Sequence, residues 1–258
     1  MSGPSSLPPV QIVGAGPGAP DLLTLRAAAA IQRAQVLLWT DSLVNPRIAA
    51  LAPPDCERIG TSTLTLEEVM EALVQRARAG LRVVRLHDGD PCLFGALAEQ
   101  ISRLAEEGLE VEVVPGLSAY QATAAALGSE LTLPGVVQTI VLSRAGGRTG
   151  MPEGESLARL AALRASLCLY LSARHVEEVQ QELLGHYPAE TPVAIGYRVS
   201  WPDQWLQVVP LEQMAATSRE RGLIRTTLYV VSPALAGAGQ ARSLLYSAHH
   251  NHLFRGGA

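Results

Sequence analysis

Two carboxylates flank a glycine in the segment "RLHDGDPCLFG", at a point where the sequence predicts the end of a strand. The apolar run "LRVVRL" leads into this segment, and Leu93, Leu97 and Ile101 follow at helical spacing. Asp88 and Asp90 therefore stand in a strand-to-helix turn, where their negative charges can attract a cation.

The first predicted strand runs into a second candidate, the glycine-rich turn "GAGPGAPDLLTL". Gly14, Gly16 and Ala19 satisfy the G-x-G-x-x-G/A spacing, which by itself is weak evidence for a dinucleotide-binding turn. Pro17 removes a backbone N–H, and Gly18 adds a glycine that the spacing does not require. Both changes weaken an amide cradle for a pyrophosphate. A glycine turn that binds no ligand is the structural alternative.

A further acidic residue, Asp41, follows the second predicted strand in "LLWTDSLVNP". An acid at this position could bind the ribose of a dinucleotide, or it could face a substrate. It could equally cap a helix, because Asp and the Ser that follows it both suit that position. A nicotinamide-dependent oxidoreductase therefore stays open as an alternative, with Pro17 and the two aspartates counting against it.

Short apolar runs alternate with amphipathic segments through the first half of the chain, which predicts a parallel sheet with crossover helices. The three loops described above, together with "VPGLSAYQ", all follow strands. We expect them at the carboxyl edge of one sheet, where such folds bind ligands. The last loop leads into a helix that begins at Ser118, with Gln121 three residues later, and its free amides suit a carboxylate. A ligand that carries a cation and a carboxylate fits this edge better than a pyrophosphate does.

The second half of the chain places predicted strands next to one another, which predicts a mixed sheet. We therefore predict an α/β fold with an N-terminal α/β domain over residues 1–130 and a C-terminal one over 131–235. Residues 236–258 are predicted to form a flexible tail. The tail carries three histidines in "HHNH", but no acidic ligand lies nearby, so no metal site is predicted.

The composition argues against several classes of function. A formal net charge of −4 at pH 7 disfavours nucleic acid as a partner, and the absence of lysine rules out Schiff-base chemistry. The apolar runs are too short to span a bilayer, and the first residues do not resemble a secretory signal. The three cysteines are far apart, as in a protein of the reducing cytoplasm. We therefore expect a cytoplasmic protein with a small-molecule ligand and no membrane partner.

Five segments occur in an order that resembles one protein family: "VGAGPGAPDLLTL", "DGDPCLFGALAEQ", "VVPGLSAYQATAAALG", "ELTLPGVVQTIVLSRAGGRTGMPE" and "YRVSWPDQW". Across residues 10–233 the chain is similar to the tetrapyrrole (class III) S-adenosylmethionine-dependent methyltransferases. The segments "DSLVNP", "LTLP", "GRTGMPE" and "SWPD" are most similar to the members that methylate precorrin-4 at C11 in cobalamin biosynthesis.

The resemblance implies two α/β domains with the methyl donor, S-adenosylmethionine, in the ligand cleft between them, and a homodimer. Matched by position, it implies that the donor contacts Pro17, Asp88, Gly89, Asp90, Leu93, Ser118, Ala119, Leu171, Val199 and Thr227. The family often has a small uncharged residue where Asp88 stands, so this chain departs from the pattern there. A second departure is Gly150, where a proline is common.

The implied reaction moves a methyl group from a sulfonium sulfur to a ring carbon, and the main task of the protein is to align the reacting atoms. Asp41 is the candidate base. Arg144 and Arg148 are candidates to bind the carboxylates of a polycarboxylate tetrapyrrole, with a solvated surface loop as the alternative. Another tetrapyrrole C-methyltransferase of the same pathway and a non-catalytic binding protein for a small ligand remain alternatives. The sequence leaves open whether the substrate carries cobalt.

Overall fold

A computed structural model describes residues 7–146 and 150–237 of the chain. Its contacts divide into two compact units. The first unit contains residues 7–122 together with Arg198–Gln204, and the second contains 123–197 and 205–237. Each unit holds one five-stranded sheet.

The first unit is built from strands and helices in alternation. In chain order the elements are β1 (Val10–Gly14), α1 (Leu25–Gln32), β2 (Val36–Trp39), α2 (Pro46–Ala49), β3 (Glu57–Gly60), α3 (Leu66–Arg78), β4 (Val83–His87), α4 (Leu97–Glu106), β5 (Val111–Val114) and the start of α5 (Ala119–Leu127). All strand pairs are parallel, in the order β3-β2-β4-β1-β5. The predicted parallel sheet is therefore confirmed.

Both faces of this sheet are covered, which explains why its strands are apolar at consecutive positions. On one face, Ile31 of α1 and Ile48 of α2 pack in a cluster with Leu37 and Leu86. On the other face, Leu73 of α3 packs in a second cluster with residues of β1, β2 and β4. Burying a leucine such as Leu73 completely contributes about 1.5–3 kcal/mol.

Helix α3 forms where its local sequence predicts it. The side chain of Thr65 accepts a hydrogen bond from the N–H of Glu68 at 3.3 Å, and the Glu68 carboxylate accepts one from the N–H of Thr65 at 2.7 Å. A Thr followed three residues later by a Glu is the sequence pattern of a capping box, and both of its hydrogen bonds are present. The helix ends before Gly80, whose φ of +77° favours glycine.

The second unit carries the mixed sheet. Its elements are the end of α5, then β6 (Ile140–Arg144), α6 (Leu157–Ala162), β7 (Ser166–Tyr170), α7 (Val176–Leu184), β8 (Pro192–Tyr197), β9 (Trp205–Pro210), α8 (Met214–Glu220) and β10 (Thr227–Val231). The strand order is β6-β7-β10-β8-β9. Strands β6 and β7 are parallel, whereas the pairs β7–β10, β10–β8 and β8–β9 are antiparallel. The predicted fold class, two α/β domains with one parallel and one mixed sheet, is confirmed.

The division into units differs in two places from what the sequence suggests. The first unit ends at Ala122, inside α5, and it includes Arg198–Gln204 from the second half of the chain. The boundary between 130 and 131 stays a prediction. Residues 238–258, which make up most of the predicted tail, lie outside the described residues. Among the described helices, none has both the length and the apolar character needed to cross a membrane.

Candidate functional site

The candidate site lies at the carboxyl edge of the first sheet, where the loops after β1, β4 and β5 are hydrogen-bonded to one another. Strands β2, β4, β1 and β5 are neighbours in the sheet, so the loops that follow them emerge side by side. Gly16 and Gly89 form a two-way bridge: the N–H of Gly16 donates to the carbonyl of Gly89 at 3.1 Å, and that of Gly89 returns a bond at 2.9 Å. Both residues have positive φ, +69° and +58°, which glycine adopts at little cost.

Asp90 ties the loop after β4 to the loop after β5. Its Oδ1 accepts a hydrogen bond from the N–H of Cys92 at 2.8 Å, and its Oδ2 accepts one from the N–H of Gly116 at 2.9 Å. The carbonyl of Asp90 also accepts from the N–H of Leu93 at 3.1 Å. Asp90 therefore fixes the turn through its side chain, and donor contact stays a prediction for Asp90 and Leu93.

Asp88 stands on the other side of Gly89 and is exposed. The protein around its carboxylate nevertheless raises its pKa by desolvation, an effect that its own backbone hydrogen bond and the nearby charge of Arg85 oppose. Arg85 is buried in β4, and burial lowers its pKa to about 10. Asp88 is thus an exposed residue at the loop edge whose partly desolvated carboxylate lies near a buried cation.

His87, the last residue of β4, is buried, and its low pKa makes it a weak base. Burial first, and the charge of Arg85 second, lower its pKa to about 4. One ring nitrogen, Nε2, lies 3.3 Å from Oε1 of Gln100. The amide nitrogen of Gln100 in turn donates to the carbonyls of Gly95 and Ala96.

The loop after β5 leads into α5. Ser118 is buried, and its N–H donates to the side-chain oxygen of Gln121 at 2.8 Å. The spacing of these two residues predicts a capping box, and this bond is the one that the Gln side chain makes in it. Ala119 is the first residue of α5. Ser118 and Ala119 therefore lie next to Gly116, which Asp90 holds.

The segment Arg198–Gln204 packs on the glycine loop. The indole N–H of Trp201 donates to the carbonyl of Pro17 at 3.0 Å, and the hydroxyl of Ser200 accepts from the N–H of Ala19 at 3.0 Å. On the other side of the loop, the side-chain amide of Asn45 donates to the carbonyl of Gly18 at 2.9 Å. The sequence did not predict these three partners, although they lie in the segments "SWPD" and "DSLVNP", which resemble those of the family.

These contacts leave few backbone amides in the glycine loop for a phosphate. The N–H of Ala15 donates to the carbonyl of His87, that of Gly16 to Gly89, and that of Ala19 to Ser200. Pro17 has no N–H. A dinucleotide turn needs such amides free to approach the pyrophosphate, so this geometry does not suit one.

Asp41, the candidate base, lies after β2 and is held by Ser62. Its Oδ1 accepts from the N–H of Ser62 at 2.8 Å, and its Oδ2 accepts from the Ser62 hydroxyl at 2.7 Å. These bonds, the hydroxyl first, lower the pKa of Asp41 below its ordinary value, against a smaller effect of desolvation. A lowered pKa makes Asp41 a weaker base than a free carboxylate.

Two of the residues matched to the donor in the second half of the chain belong to the second unit. Leu171 directly follows β7, is 66% exposed and has a φ of +53°. Thr227 is the first residue of β10, the strand that pairs with β7 in antiparallel register, and it is buried. Val199, the third, is buried in the first unit.

Of the two arginines matched to substrate carboxylates, only Arg144 can be described. It is the last residue of β6, and its guanidinium donates to the carbonyls of Ala145, Gly146 and Gly150. These bonds hold the chain on both sides of 147–149. Arg148 lies outside the described residues. In the described part of the chain, no group of three or more His, Cys, Asp or Glu side chains could hold a metal ion.

Comparison with known proteins relates the chain to one family. Residues 9–215 match the family model of the tetrapyrrole (corrin/porphyrin) methylases. The precorrin-4 C(11)-methyltransferase of Pseudomonas aeruginosa is 45% identical over 248 residues, which cover 96% of this chain and 99% of that protein.

Solved structures agree with this relation. The X-ray structure of a cobalamin biosynthetic enzyme, cobalt precorrin-4 methyltransferase, is similar with a TM-score of 0.84 and 37% identity, covering 88% of this chain and 95% of that one. The uroporphyrin-III C-methyltransferase of Thermus thermophilus in complex with S-adenosylhomocysteine has a TM-score of 0.74 and 30% identity, covering 89% and 99%. The chain belongs to the tetrapyrrole (corrin/porphyrin) methylases.

Proposed function

We propose that this protein transfers a methyl group from S-adenosylmethionine to C11 of precorrin-4, or of its cobalt form, in cobalamin biosynthesis. The observation that carries this proposal is the 45% identity to a precorrin-4 C(11)-methyltransferase across 96% of this chain and 99% of that protein. One similar protein is named for precorrin-4 and a similar structure for cobalt precorrin-4, so both forms are offered as substrates.

The carboxyl edge of the first sheet suits a sulfonium donor better than a dinucleotide. The amides of Ala15, Gly16 and Ala19 are already paired, which disfavours a pyrophosphate. Asp88 is an exposed residue at the same edge, and the negative charge of its carboxylate attracts a cationic donor. We therefore assign donor contacts to the glycine loop, the loop after β4 and the residues Ser118 and Ala119. Leu171, Val199 and Thr227 complete the proposed set.

The donor supplies an activated methyl group, so the protein contributes binding and alignment. As the carbon–sulfur bond breaks and the carbon–carbon bond forms, the donor becomes a neutral thioether and the substrate carries one extra positive charge until a proton leaves. Asp41 is the proposed acceptor of that proton, and its lowered pKa keeps it ionised at neutral pH. Arg144 and Arg148 are proposed to bind substrate carboxylates, which guanidinium groups grip bidentately.

We also propose a cytoplasmic homodimer. Three separated cysteines suit a reducing compartment, and the described cysteines are all free thiols. Most oligomers of soluble enzymes are symmetric, and a two-fold dimer is the commonest. Size-exclusion chromatography with light scattering tests the dimer, and a monomeric mass at working concentration would contradict it.

The decisive test is turnover. The purified protein is incubated with S-adenosylmethionine labelled in its methyl group and with precorrin-4 or cobalt-precorrin-4 in parallel. Mass spectrometry should show one added methyl group, and NMR of the labelled carbon should place it at C11. A label on another ring carbon would support the alternative tetrapyrrole methyltransferase, and no label on either substrate would favour a non-catalytic binding protein.

A ligand test separates the remaining alternative. A ligand at 100 times its Kd stabilises a protein by about 2.7 kcal/mol, which a thermal-shift assay resolves. S-adenosylhomocysteine should raise Tm, and NAD at the same concentration should leave it unchanged. The opposite pattern would support the nicotinamide-dependent oxidoreductase.

A further inference from the structure

The dinucleotide spacing does not require a glycine at position 18, and the position of Trp201 explains why Gly18 is there. A Cβ added to Gly18 would lie 2.1 Å from Cδ1 and 2.2 Å from Nε1 of Trp201. The φ of Gly18 is +151°, a conformation that side chains rarely adopt. The indole therefore occupies the space that any side chain at position 18 would need.

Three hydrogen bonds then fix the loop around that indole. Trp201 binds the carbonyl of Pro17, Asn45 binds the carbonyl of Gly18, and Ser200 binds the N–H of Ala19. Together with the bridge between Gly16 and Gly89, these bonds hold every residue from 16 to 19. The loop that is matched to the methyl donor thus has its backbone position set by side chains far away in the sequence.

The segment that carries Trp201 is itself in an unusual conformation. Arg198 and Ser200 have φ values of +45° and +72°, in the left-handed region that glycine favours. The Arg198 guanidinium lies over the Trp201 ring, 4.3 Å from its centroid, and forms an ion pair with Asp203. The N–H of Ser200 donates to the side chain of Gln204 at 2.8 Å. Such strain persists only where the surroundings enforce it, and it concentrates at functional sites.

We propose that Trp201 is a positioning residue of the donor site, supported by Asn45, and this inference rests on the function proposed above. Trp201 fixes Pro17 through its N–H and lies two residues from Val199, and both of these residues are matched to the donor. The bond acts on the loop backbone rather than on the tetrapyrrole. Its loss should therefore weaken donor binding and leave recognition of the tetrapyrrole unchanged.

Trp201→Phe tests the bond while it keeps an aromatic ring against Gly18. The matched control is Trp205→Phe, since Trp205 lies on β9 in the second unit with its ring beside Arg221. A second variant, Asn45→Ser, keeps a side-chain oxygen that can cap α2 but removes the amide that donates to Gly18. Kd for S-adenosylhomocysteine is measured by calorimetric titration. KM for each substrate and kcat are measured while the other substrate is held at a saturating concentration.

We expect Kd for S-adenosylhomocysteine and KM for S-adenosylmethionine to rise about 3- to 15-fold in Trp201→Phe and in Asn45→Ser, the effect of one lost hydrogen bond. Trp205→Phe should stay within about twofold of wild type. KM for the tetrapyrrole and Tm without ligand should match those of the control. The inference is overturned if donor affinity is unchanged, or if it falls only in proportion to Tm. Wild type that binds no S-adenosylhomocysteine would instead refute the proposed function.

Discussion

Gly116 lies in the loop after β5, and its substitution by alanine, which adds one methyl group, tests the candidate site most directly. A Cβ added there would lie 2.2 Å from the carbonyl oxygen of Gly89 and 3.0 Å from both Cα and the carbonyl carbon of Gly14. These are backbone atoms, so they cannot rotate away as the end of a side chain would. The φ of Gly116 lies outside the left-handed region, and Gly116→Ala therefore tests close approach alone.

The expected cost follows from the fixed surroundings. Overpacking costs about 1–3 kcal/mol where neighbours can shift. Asp90 and the bridge between Gly16 and Gly89 prevent that shift, so we expect Gly116→Ala to lose about 3 kcal/mol of unfolding free energy, the upper end of that range. A loss of this size lowers Tm by roughly 6–12 °C for a protein of this length.

Scanning calorimetry and titration with S-adenosylhomocysteine measure the two consequences. Separation of the loops after β4 and β5 should weaken binding at least about tenfold, or ~1.4 kcal/mol. The matched control is Gly154→Ala in the second unit, where an added Cβ meets nothing within 4 Å and φ is not positive. Its effect should stay within about 0.5 kcal/mol. The geometry described for this edge would be refuted if the Gly116→Ala protein had the same Tm as this control and bound S-adenosylhomocysteine as tightly as wild type does.

Three further predictions concern titratable groups. Ser62→Ala removes the hydroxyl that lowers the pKa of Asp41. If Asp41 is the base, the acidic limb of the pH profile of kcat/KM should therefore move to higher pH. An acidic limb at the wild-type pH would exclude Asp41 as the base. The pKa of His87 falls from 6.5 to about 4 on folding, so between these pH values the unfolded state binds more protons than the folded state does. The free energy of unfolding should therefore drop by about 2 kcal/mol from pH 7 to pH 5. His87→Gln should abolish that part of the loss in thermal melts, and a parallel loss in both proteins would contradict the assignment. Asp88→Asn should weaken the binding of S-adenosylmethionine about 3- to 10-fold more than it weakens the binding of S-adenosylhomocysteine, because only S-adenosylmethionine carries a sulfonium charge. If calorimetric titrations show equal weakening for both ligands, Asp88 does not interact with this charge.

The sequence predicted those features that local chemistry determines. The capping box of Thr65 and Glu68 is complete within four residues, and the structure contains it. Continuous apolar strands between amphipathic helices predicted the parallel sheet, because strands covered on both faces need apolar side chains at every position. The loops with Gly16, Gly89 and Asp90 were expected at one edge for the same topological reason, and they are hydrogen-bonded there.

The features that the sequence did not predict depend on partners far apart in the chain. Trp201 lies 184 residues from Pro17, and no periodicity or spacing connects them. Likewise, Ser62 is not adjacent to Asp41 in sequence, so the hydrogen bonds that lower the pKa of Asp41 could not be anticipated. The inclusion of Arg198–Gln204 in the first unit follows from such contacts and not from composition.

The glycine loop shows how one spacing can serve two different ligands. In a dinucleotide turn, glycines bring free amides close to a pyrophosphate. In this chain, Gly14 and Gly16 bring the loop against Gly89 and Gly116, and Gly18 makes room for Trp201. The amides of Ala15, Gly16 and Ala19 are thereby paired inside the protein, and Asp88 adds a carboxylate at the same edge. A loop that has lost its affinity for anions in this way can stand next to a cationic donor without repelling it.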